Sequence, residues 1–368
     1  MSATTLKINL KRIEENYHHF VETSQKSVSS EIAGVVKADA YGLGCGPVAK
    51  ALSKAGCETF FVAHGFEGRD LRGFLPQAKI FVFHGALPGE EEMFQEKCLI
   101  PVVHSFPSLE RWQKFAKQSG YGDVALQVDT GMNRLGFRPG EFLRLCADER
   151  LVDGLTLQLI MSHLACGDEI ENQTNKVQLE LFQELMAKRS PALSRASLSL
   201  ANSAGTLLGP EYHFDLCRVG IGLYGGNPFS NQSNPCLPVV KVETPILQIS
   251  EIETGDSVSY GACWTASRPS RIATIGVGYA DGYLRSLGGK AKMAIGGHLV
   301  PIVGRVTMDL IMIDITDLPR GLVDVGSLVE VMGETILIDE IADRAGTIGY
   351  EILTSLGQRY KRDYISTS

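Results

Sequence analysis

The chain has 368 residues, and its 35 Lys and Arg against 42 Asp and Glu give a formal net charge of −7. Neither sign of charge forms a long run, which argues against a nucleic-acid or membrane-surface protein and favours a small-molecule partner. No apolar stretch approaches the ~20 residues of a membrane-spanning helix, and MSATTLKINL lacks the apolar core of a signal peptide, so a cytoplasmic location is expected.

The cysteines exclude two further classes of protein. All eight occur singly, and no two form a C-x-x-C pair. The pattern therefore indicates neither a zinc site nor a disulfide framework, and we expect reduced thiols and no bound metal.

Up to about residue 220, short apolar runs alternate with helix-compatible stretches such as GPVAKALSKAG, SLERWQKFAKQ and NKVQLELFQELMAKR. This alternation is typical of parallel strands joined by crossover helices. Eight runs can be counted: 31–36, 59–63, 79–83, 99–103, 123–128, 155–161, 196–201 and 214–219. The number favours a (β/α)8 TIM-type barrel of the α/β class, although a doubly wound fold stays open because no glycine fingerprint settles the topology.

The segment NPFSNQSNPCLP is rich in Asn, Pro and Ser, which predicts a domain boundary. Beyond it, strands with few helices are predicted from VKVETPILQISEIE, RIATIGVG, LIMIDITD and GSLVEVMGE. We therefore predict a barrel over residues 10–232 and a C-terminal mainly-β domain over 233–368. The alternation of Leu6, Ile8 and Leu10 is consistent with an N-terminal strand, residues 1–9, that joins the second domain.

Polar residues suited to chemistry follow several of the predicted strands: Lys37, the segment 129–134, His163, Asn202, Ser203 and Arg218. The carboxyl ends of the strands form the catalytic face of such a barrel. A lone histidine there is more often a hydrogen-bonded core group, but the shared position of these residues favours a site. His64 and His84 also follow strands, but no motif surrounds them, and both are assigned structural roles.

Lys37 ends an apolar strand, where an ammonium group is unusual. Its amine either extends to solvent or forms an imine with an aldehyde cofactor, for which pyridoxal phosphate is the obvious candidate. The phosphate could be bound by hydroxyls and N–H groups of NSAG (202–205), GIG (220–222) and Tyr41. Arg218 could only donate to the pyridine nitrogen, because a guanidinium stays protonated, and the ring would then be a weaker electron sink.

Nine motifs occur in one order along the chain: VVKADAYGLG, VDTGMNRLG, SHLACGDE, ANSAG, RVGIGLYG, VSYGACWTA, VGYADGYLR, VGRVTMD and TIGYE. Together they resemble the motif series of the bacterial alanine racemase family. The resemblance implies a pyridoxal-phosphate barrel with a C-terminal β domain, acting as a head-to-tail homodimer with shared active sites. The implied isomerase activity interconverts L-alanine and D-alanine by two-base proton transfer on a pyridoxal-phosphate external aldimine, and supplies D-alanine for cell-wall peptidoglycan.

The resemblance also implies roles for individual residues. Lys37 would hold the cofactor and serve one face of the substrate Cα, and Tyr260 of the partner subunit would serve the other. Arg218, steadied by His163, would donate to the pyridine nitrogen. The other cofactor positions are Tyr41, Asn202, Ser203, Gly220, Ile221 and Tyr350. The substrate-carboxylate positions are Arg134 and the partner subunit's Met308, and the entrance positions are Asp168, Tyr279, Arg285 and Arg305. Surface or interface ion pairs are the alternative for the entrance group.

Gln127 departs from the family pattern, since many relatives carry there a carbamylated lysine that braces the arginine equivalent to Arg134. Glutamine cannot form a carbamate, and an unbraced guanidinium in a desolvated pocket would be costly. Three compensations are open: a bond from Gln127, a turn of Asp129 or Asp168 toward Arg134, or a bound anion such as chloride. The anion is favoured, because relatives with the modified lysine also have the aspartate at Asp129.

Two related functions fit the residues poorly, and a third stays open. A related decarboxylase would pair the pyridine nitrogen with a carboxylate and use a cysteine donor, whereas this chain has Arg218 and Tyr260. A pyridoxal-phosphate carrier would resemble the barrel alone and leave the second domain without a role. A broad-specificity amino-acid racemase stays open, because side-chain tolerance depends on pocket volume. Tyr350 argues against the serine-preferring relatives.

Overall fold

The computed structural model describes residues 4–25 and 30–366. Strand β1 (Thr5–Asn9) comes first, and the next eight strands form one parallel sheet. They are β2 (Glu31–Val35), β3 (Thr59–Val62), β4 (Lys79–Val82), β5 (Leu99–Val103), β6 (Asp123–Gln127), β7 (Thr156–Met161), β8 (Ser197–Ser199) and β9 (Leu216–Val219). Each lies within one of the eight apolar runs, so hydrophobic pattern alone located every strand of this sheet.

The sheet closes into a barrel. Its hydrogen-bonded order is β8-β7-β6-β5-β4-β3-β2-β9. The two outer strands also meet, because the Asp215 N–H donates to the Leu198 carbonyl at 3.0 Å and the Arg218 N–H donates to the Ala201 carbonyl at 2.9 Å. Closure leaves no unpaired sheet edge. The predicted (β/α)8 barrel is therefore confirmed, and the doubly wound alternative is wrong.

Helices surround the barrel strands: Leu10–Gln25, Cys45–Lys54, Gly65–Phe74, Glu91–Glu96, Phe106–Ser119, Pro139–Ala147, Gln173–Ala187 and Ser203–Leu208. Phe106–Ser119 shows why they form, since Leu109, Trp112 and Ala116 recur at helical spacing and are buried against the sheet. The helix ends at Gly120, which takes the left-handed conformation with φ +76°. Within the described ranges, no helix is both long enough and apolar enough to cross a bilayer.

The second domain is mainly β, as predicted. Its strands are β10 (Val240–Ile252), β11 (Ser257–Val258), β12 (Trp264–Thr265), β13 (Ser270–Ile275), β14 (Lys292–Ile295), β15 (His298–Val303), β16 (Ile311–Asp314), β17 (Leu328–Met332) and β18 (Lys361–Ile365). Six of them pair in a ring, β10-β13-β16-β15-β14-β17 and back to β10. Two helices, Ile338–Ala345 and Gly349–Thr354, precede β18.

Strand β1 belongs to the sheet of this second domain. It pairs antiparallel with β10 and parallel with β18, although it precedes the whole barrel in sequence. The chain therefore passes from the β domain into the barrel and back again. The boundary at residue 232 stays a prediction, and residues 1–3 of the expected N-terminal strand lie outside the described residues.

The β domain contacts the barrel at the turn that follows β2. Arg362 donates to the Gly42 carbonyl at 2.6 Å, and the Tyr364 hydroxyl donates to the Leu43 carbonyl at 3.1 Å. Gly42 has φ +83°, and a Cβ there would lie 2.6 Å from the Leu353 carbonyl oxygen. Both the backbone conformation and the close approach of the β domain therefore require glycine at position 42.

Gly42→Ala is expected to lower the thermal midpoint more than Gly56→Ala, a matched control. Gly56 also has a positive φ, +102°, but an added Cβ would meet nothing within 4 Å. The control should cost about 1–2 kcal/mol of backbone strain, whereas Gly42→Ala must also displace a backbone carbonyl. Thermal melts of both variants measure the difference, and equal losses would contradict the close domain contact.

Candidate active site

Most barrel residues in the predicted site lie at the carboxyl ends of the strands. Lys37 follows β2, His163 follows β7 and Asn202 follows β8, while Arg218 lies in β9 and Gly220 comes directly after it. A cavity of about 610 Å³ opens at this end of the barrel, and its lining includes Arg134, His163, Asp168, Asn202 and Tyr350. The fold thus brings together residues that are far apart in sequence.

Lys37 begins a turn with an uncommon backbone. The four residues that follow it, Ala38 to Tyr41, all have φ between +52° and +55°. This is the left-handed helical region, which costs a non-glycine residue about 1–2 kcal/mol. Such a run persists only where the surrounding structure imposes it. Here it follows Lys37 directly, the lysine predicted to bind the cofactor.

Hydrogen bonds from several directions hold this left-handed turn. Within the turn, the Gly42 N–H donates to the Ala38 carbonyl at 2.7 Å. Glu67 Oε1 accepts the Ala38 N–H at 2.7 Å, and Asp39 Oδ1 accepts the Cys45 N–H at 2.7 Å. Together with the β18 contacts described above, these bonds compensate the backbone strain and fix where the Lys37 side chain starts.

The Lys37 amine lies in a partly desolvated, positively charged environment. Its Nζ is 5.7 Å from the centre of the Phe83 ring. Burial lowers the pKa of the Lys37 amine, Arg134 lowers it further, and Glu67 acts in the opposite direction. A lowered pKa increases the fraction of neutral amine near neutral pH, which is the form that attacks an aldehyde.

Arg218 is a buried cation, only 2% exposed, with several fixed partners. One Nη donates to the Ser199 hydroxyl, and the other donates to the carbonyls of Ser162 at 2.6 Å and Leu200 at 3.3 Å and to His163 Nδ1 at 3.2 Å. Because arginine only donates, His163 Nδ1 must accept, so the ring is neutral with its proton on Nε2. Burial lowers the pKa of Arg218 to about 10, so it stays protonated at neutral pH.

Hydroxyl groups surround Gly220 at the end of β9. Ser203 Oγ accepts the N–H groups of Gly220 at 2.9 Å and Gly222 at 3.4 Å. The Tyr41 hydroxyl lies so close that a Cβ at position 220 would be 2.4 Å from it, and the Tyr41 ring is 5.9 Å from the Tyr350 ring. Gly220 therefore leaves room for the Tyr41 hydroxyl, and its N–H already donates to Ser203 Oγ.

Asn202 and Ile221 shape the same region through backbone contacts. Asn202 Oδ1 accepts the Gly205 N–H at 2.9 Å and caps the helix Ser203–Leu208. Ile221 is buried and begins the 3-10 turn Ile221–Tyr224, whose tyrosine hydroxyl donates to the Val35 carbonyl at 2.8 Å. These contacts set the positions of the strand ends that carry the hydroxyl groups.

The residues at this end of the barrel fit pyridoxal phosphate by their unused donors. Within the described residues, the hydroxyl hydrogens of Ser203, Tyr41 and Tyr350 have no acceptor, and neither does the Nε–H of Arg218. Hydroxyl donors suit a phosphate, and an N–H from a permanent cation suits a ring nitrogen. With the Lys37 amine for the aldehyde, the aldehyde, the phosphate and the ring nitrogen of this cofactor each have a counterpart.

Of the predicted site residues in the β domain, Tyr350 lines this cavity, whereas the rest do not: Tyr260, Tyr279, Arg285, Arg305 and Met308. Tyr260 is 73% exposed, Met308 53% and Tyr279 42%. The N–H of Ala280, next to Tyr279, donates to the Met308 carbonyl at 3.1 Å, which brings those two residues together. A cluster of exposed aromatic and apolar side chains indicates an interaction surface.

Arg305 and Arg285 lie beside this exposed cluster. The Ser259 hydroxyl donates to the Arg305 carbonyl at 3.1 Å, and a Cβ at Gly261 would lie 3.2 Å from the Arg305 guanidinium. Tyr260 is therefore held between two residues that contact Arg305. Arg285 begins the short turn Arg285–Leu287, and Gly288, directly after this turn, packs against the Arg305 backbone.

Three side chains at the barrel mouth, Glu67, His64 and His84, make contacts that no sequence motif indicates. Glu67 bonds the left-handed turn, and its only sequence signal is its place three residues after His64, the spacing of a capping box. The Nδ1 atoms of His64 and His84 are 3.3 Å apart. Burial, His64 and Lys37 all lower the pKa of His84, and both histidines are exposed, so the pair is not part of the core.

Two protein-family models match this chain, one over each domain. The model of the alanine racemase N-terminal domain matches residues 8–228, and that of the C-terminal domain matches residues 239–364. The chain belongs to the alanine racemase family. The resemblance drawn from nine sequence motifs is confirmed, as is the prediction of an isomerase of this family.

Individual alanine racemases match over nearly their full length. The alanine racemase of Rhodospirillum rubrum is 49% identical over 334 residues, which are 90% of this chain and 88% of that protein. That of Rhizobium meliloti is 43% identical over 99% of this chain and 97% of its own. The crystal structure of the Bartonella henselae enzyme with covalently bound pyridoxal phosphate has a TM-score of 0.93 at 37% identity, covering 99% of this chain and 100% of that one.

Gln127 is buried, and its amide donates to the Leu135 carbonyl at 3.0 Å instead of reaching Arg134. Asp129 accepts two N–H groups of its own loop, and Asp168 accepts a serine hydroxyl. Within the described part of the chain, none of these three side chains is hydrogen-bonded to Arg134. A bound anion that braces Arg134 stays a prediction.

His163→Asn is expected to weaken the loss of stability on acidification. Burial and the positive charges of Arg218, Arg134 and Lys37 lower the pKa of His163 from 6.5 to about 3. Below pH 6.5 the unfolded chain therefore binds a proton that the folded chain does not, and stability falls by up to about 1.4 kcal/mol per pH unit. Asparagine keeps an acceptor for Arg218 but does not titrate.

The measurement is the thermal midpoint of wild type and His163→Asn between pH 7 and pH 5. The midpoint of the variant should fall less over this range than that of wild type. His298→Asn, at an exposed position in β15, is the control and should follow wild type. A variant with the wild-type pH dependence would contradict a neutral His163.

Proposed function

We propose that this chain racemises alanine with pyridoxal phosphate, using Lys37 and Tyr260 of the partner subunit as its two acid/base groups. The observation that carries the proposal is the Lys37 amine, held by a strained turn at the barrel mouth with a lowered pKa. Relatives named alanine racemase match nearly the whole chain, and a solved relative holds pyridoxal phosphate covalently.

Bound pyridoxal phosphate supplies an electron-withdrawing ring that acidifies the Cα–H of an attached amino acid. Lys37 would hold it through Nζ, while the hydroxyls of Ser203, Tyr41 and Tyr350 would bind its phosphate. Arg218 would donate its free N–H to the ring nitrogen. Since a guanidinium with a pKa of about 10 does not readily give up its proton, the ring would remain a weak electron sink, and transamination should be slow.

Racemisation needs one acid/base group on each face of Cα, because the proton leaves from one side and returns on the other. Lys37 Nζ would serve one face. The Tyr260 hydroxyl of the partner subunit would serve the opposite face, and Arg134 would hold the substrate carboxylate by charge-assisted bonds. Both bases alternate between donor and acceptor, so the same two residues serve both directions.

A head-to-tail homodimer explains the exposed face of the β domain. Tyr260 is 73% exposed, and Tyr279 and Met308 are exposed as well. None of the three lines the cavity of its own barrel. Placing this face on the barrel mouth of a second copy would bury these side chains and complete two equivalent sites, as twofold symmetry requires. Arg305, Arg285 and Asp168 would then line the substrate entrance.

Alanine is favoured as the substrate because relatives named alanine racemase match nearly the whole chain, and Tyr350, which lines the cavity, would restrict the size of the substrate side chain. A broad-specificity racemase remains the alternative, and relative turnover of alanine, serine, lysine and arginine separates the two. Supply of D-alanine for peptidoglycan and a cytoplasmic location stay predictions.

Lys37→Ala is expected to lower the racemisation rate of alanine at least about 100-fold, since it removes both the covalent tether and one base. Borohydride reduction of the cofactor-loaded protein, followed by peptide mass spectrometry, should place the pyridoxyl label on Lys37. Lys54→Ala, at an exposed position on an outer helix, is the control and should keep label and activity. A label on any other lysine would overturn the assignment.

Mixing inactive variants tests the shared site. Subunit exchange between Lys37→Ala and Tyr260→Phe gives heterodimers with one intact site, so a fully mixed sample should recover about a quarter of wild-type activity. Lys37→Ala mixed with Arg134→Ala is the control, because both changes lie in the barrel and no intact site can form. Heterodimers without recovered activity in the first mixture would count against a contribution from the partner subunit.

A further inference from the structure

We propose that Glu67 is a positioning residue for Lys37, because its carboxylate ties the left-handed turn of Lys37 to the neighbouring strand end. The inference rests on the proposed function of Lys37 as the residue that holds the cofactor and moves a proton. It adds a residue that no motif indicated.

The geometry joins two strands through one side chain. Glu67 is the third residue of the helix Gly65–Phe74. Its Oε1 accepts the Ala38 N–H at 2.7 Å, and its Oε2 accepts the N–H groups of Ala63 at 2.7 Å and His64 at 3.0 Å. Ala38 follows β2 and Ala63 follows β3, so the carboxylate fixes the ends of adjacent strands by charge-assisted bonds.

Capping of its own helix accounts for only part of this arrangement. Glu141 occupies the same third position in the helix Pro139–Ala147 and accepts one N–H, that of Arg138, at 2.8 Å. Glu67 does the same for its helix with Oε2. Its Oε1 is used for the N–H of Ala38, the residue next to Lys37 and the first with a left-handed φ.

The charge of Glu67 also acts on the amine. The charged and titratable groups that influence Lys37, or are influenced by it, are Arg134, His84, His163 and Glu67. Burial and Arg134 lower the pKa of Lys37, whereas Glu67 raises it. Removing the Glu67 charge should therefore shift the titration of Lys37 to lower pH.

The first experiment compares Glu67→Gln with Glu141→Gln, its matched helix-cap control. In cofactor-free protein with ¹³C-methylated lysines, NMR follows the pH titration of the Lys37 signal, identified by its loss in Lys37→Ala. We expect Glu67→Gln to shift this titration to lower pH and Glu141→Gln to leave it unchanged. In the loaded enzyme, Glu67→Gln should lower kcat for alanine at least about tenfold with little change in KM, because misplaced reacting groups slow the chemical step.

An unchanged Lys37 titration in folded Glu67→Gln would overturn the proposal, and so would an equal loss of kcat in Glu141→Gln. The titration uses neither cofactor nor substrate, so its result stands even if the protein acts on another amino acid. Should circular dichroism show that Glu67→Gln does not fold, Glu67→Asp decides. It keeps the charge but is one methylene too short to span both strand ends, and wild-type kcat in this variant would equally overturn the proposal.

Discussion

The left-handed turn after β2 is the constraint on which the site depends. Four successive residues without glycine do not keep this conformation unaided, because each is strained. The bonds that hold it come from Glu67 on a neighbouring helix, from Asp39 within the turn and from Arg362 on β18. The position of Lys37 is therefore a property of the assembled molecule, and it requires both domains.

Three cations, one of them that lysine, act on His163. Burial lowers the pKa of His163, and the charges of Arg218, Arg134 and Lys37 lower it further, so its ring is kept neutral. Neutrality lets His163 accept a bond from Arg218 instead of repelling it. Neighbouring cations attract anions, and a phosphate and a substrate carboxylate are the groups that the proposed reaction brings there.

The β domain has two faces with different roles. One face contacts the turn of its own barrel, at Gly42 and Leu43, and makes contacts too close for any side chain at position 42. The other face carries Tyr260, Tyr279 and Met308, all of them exposed. The first face supports the turn that carries Lys37. The second face would bring Tyr260 to the site of a partner subunit.

The sequence by itself determined the barrel strands, the mainly-β second domain and the place of Lys37 at a strand end. These features follow from the spacing of apolar residues along the chain, which is a local property. Only the tertiary structure decided that Glu67 bonds the turn of Lys37 and that His64 meets His84. Those contacts depend on which strands are neighbours in the closed sheet. The left-handed turn was equally hidden, since alanine and tyrosine rarely adopt this conformation and one aspartate does not predict a run of four, and bonds from distant residues such as Arg362 impose it.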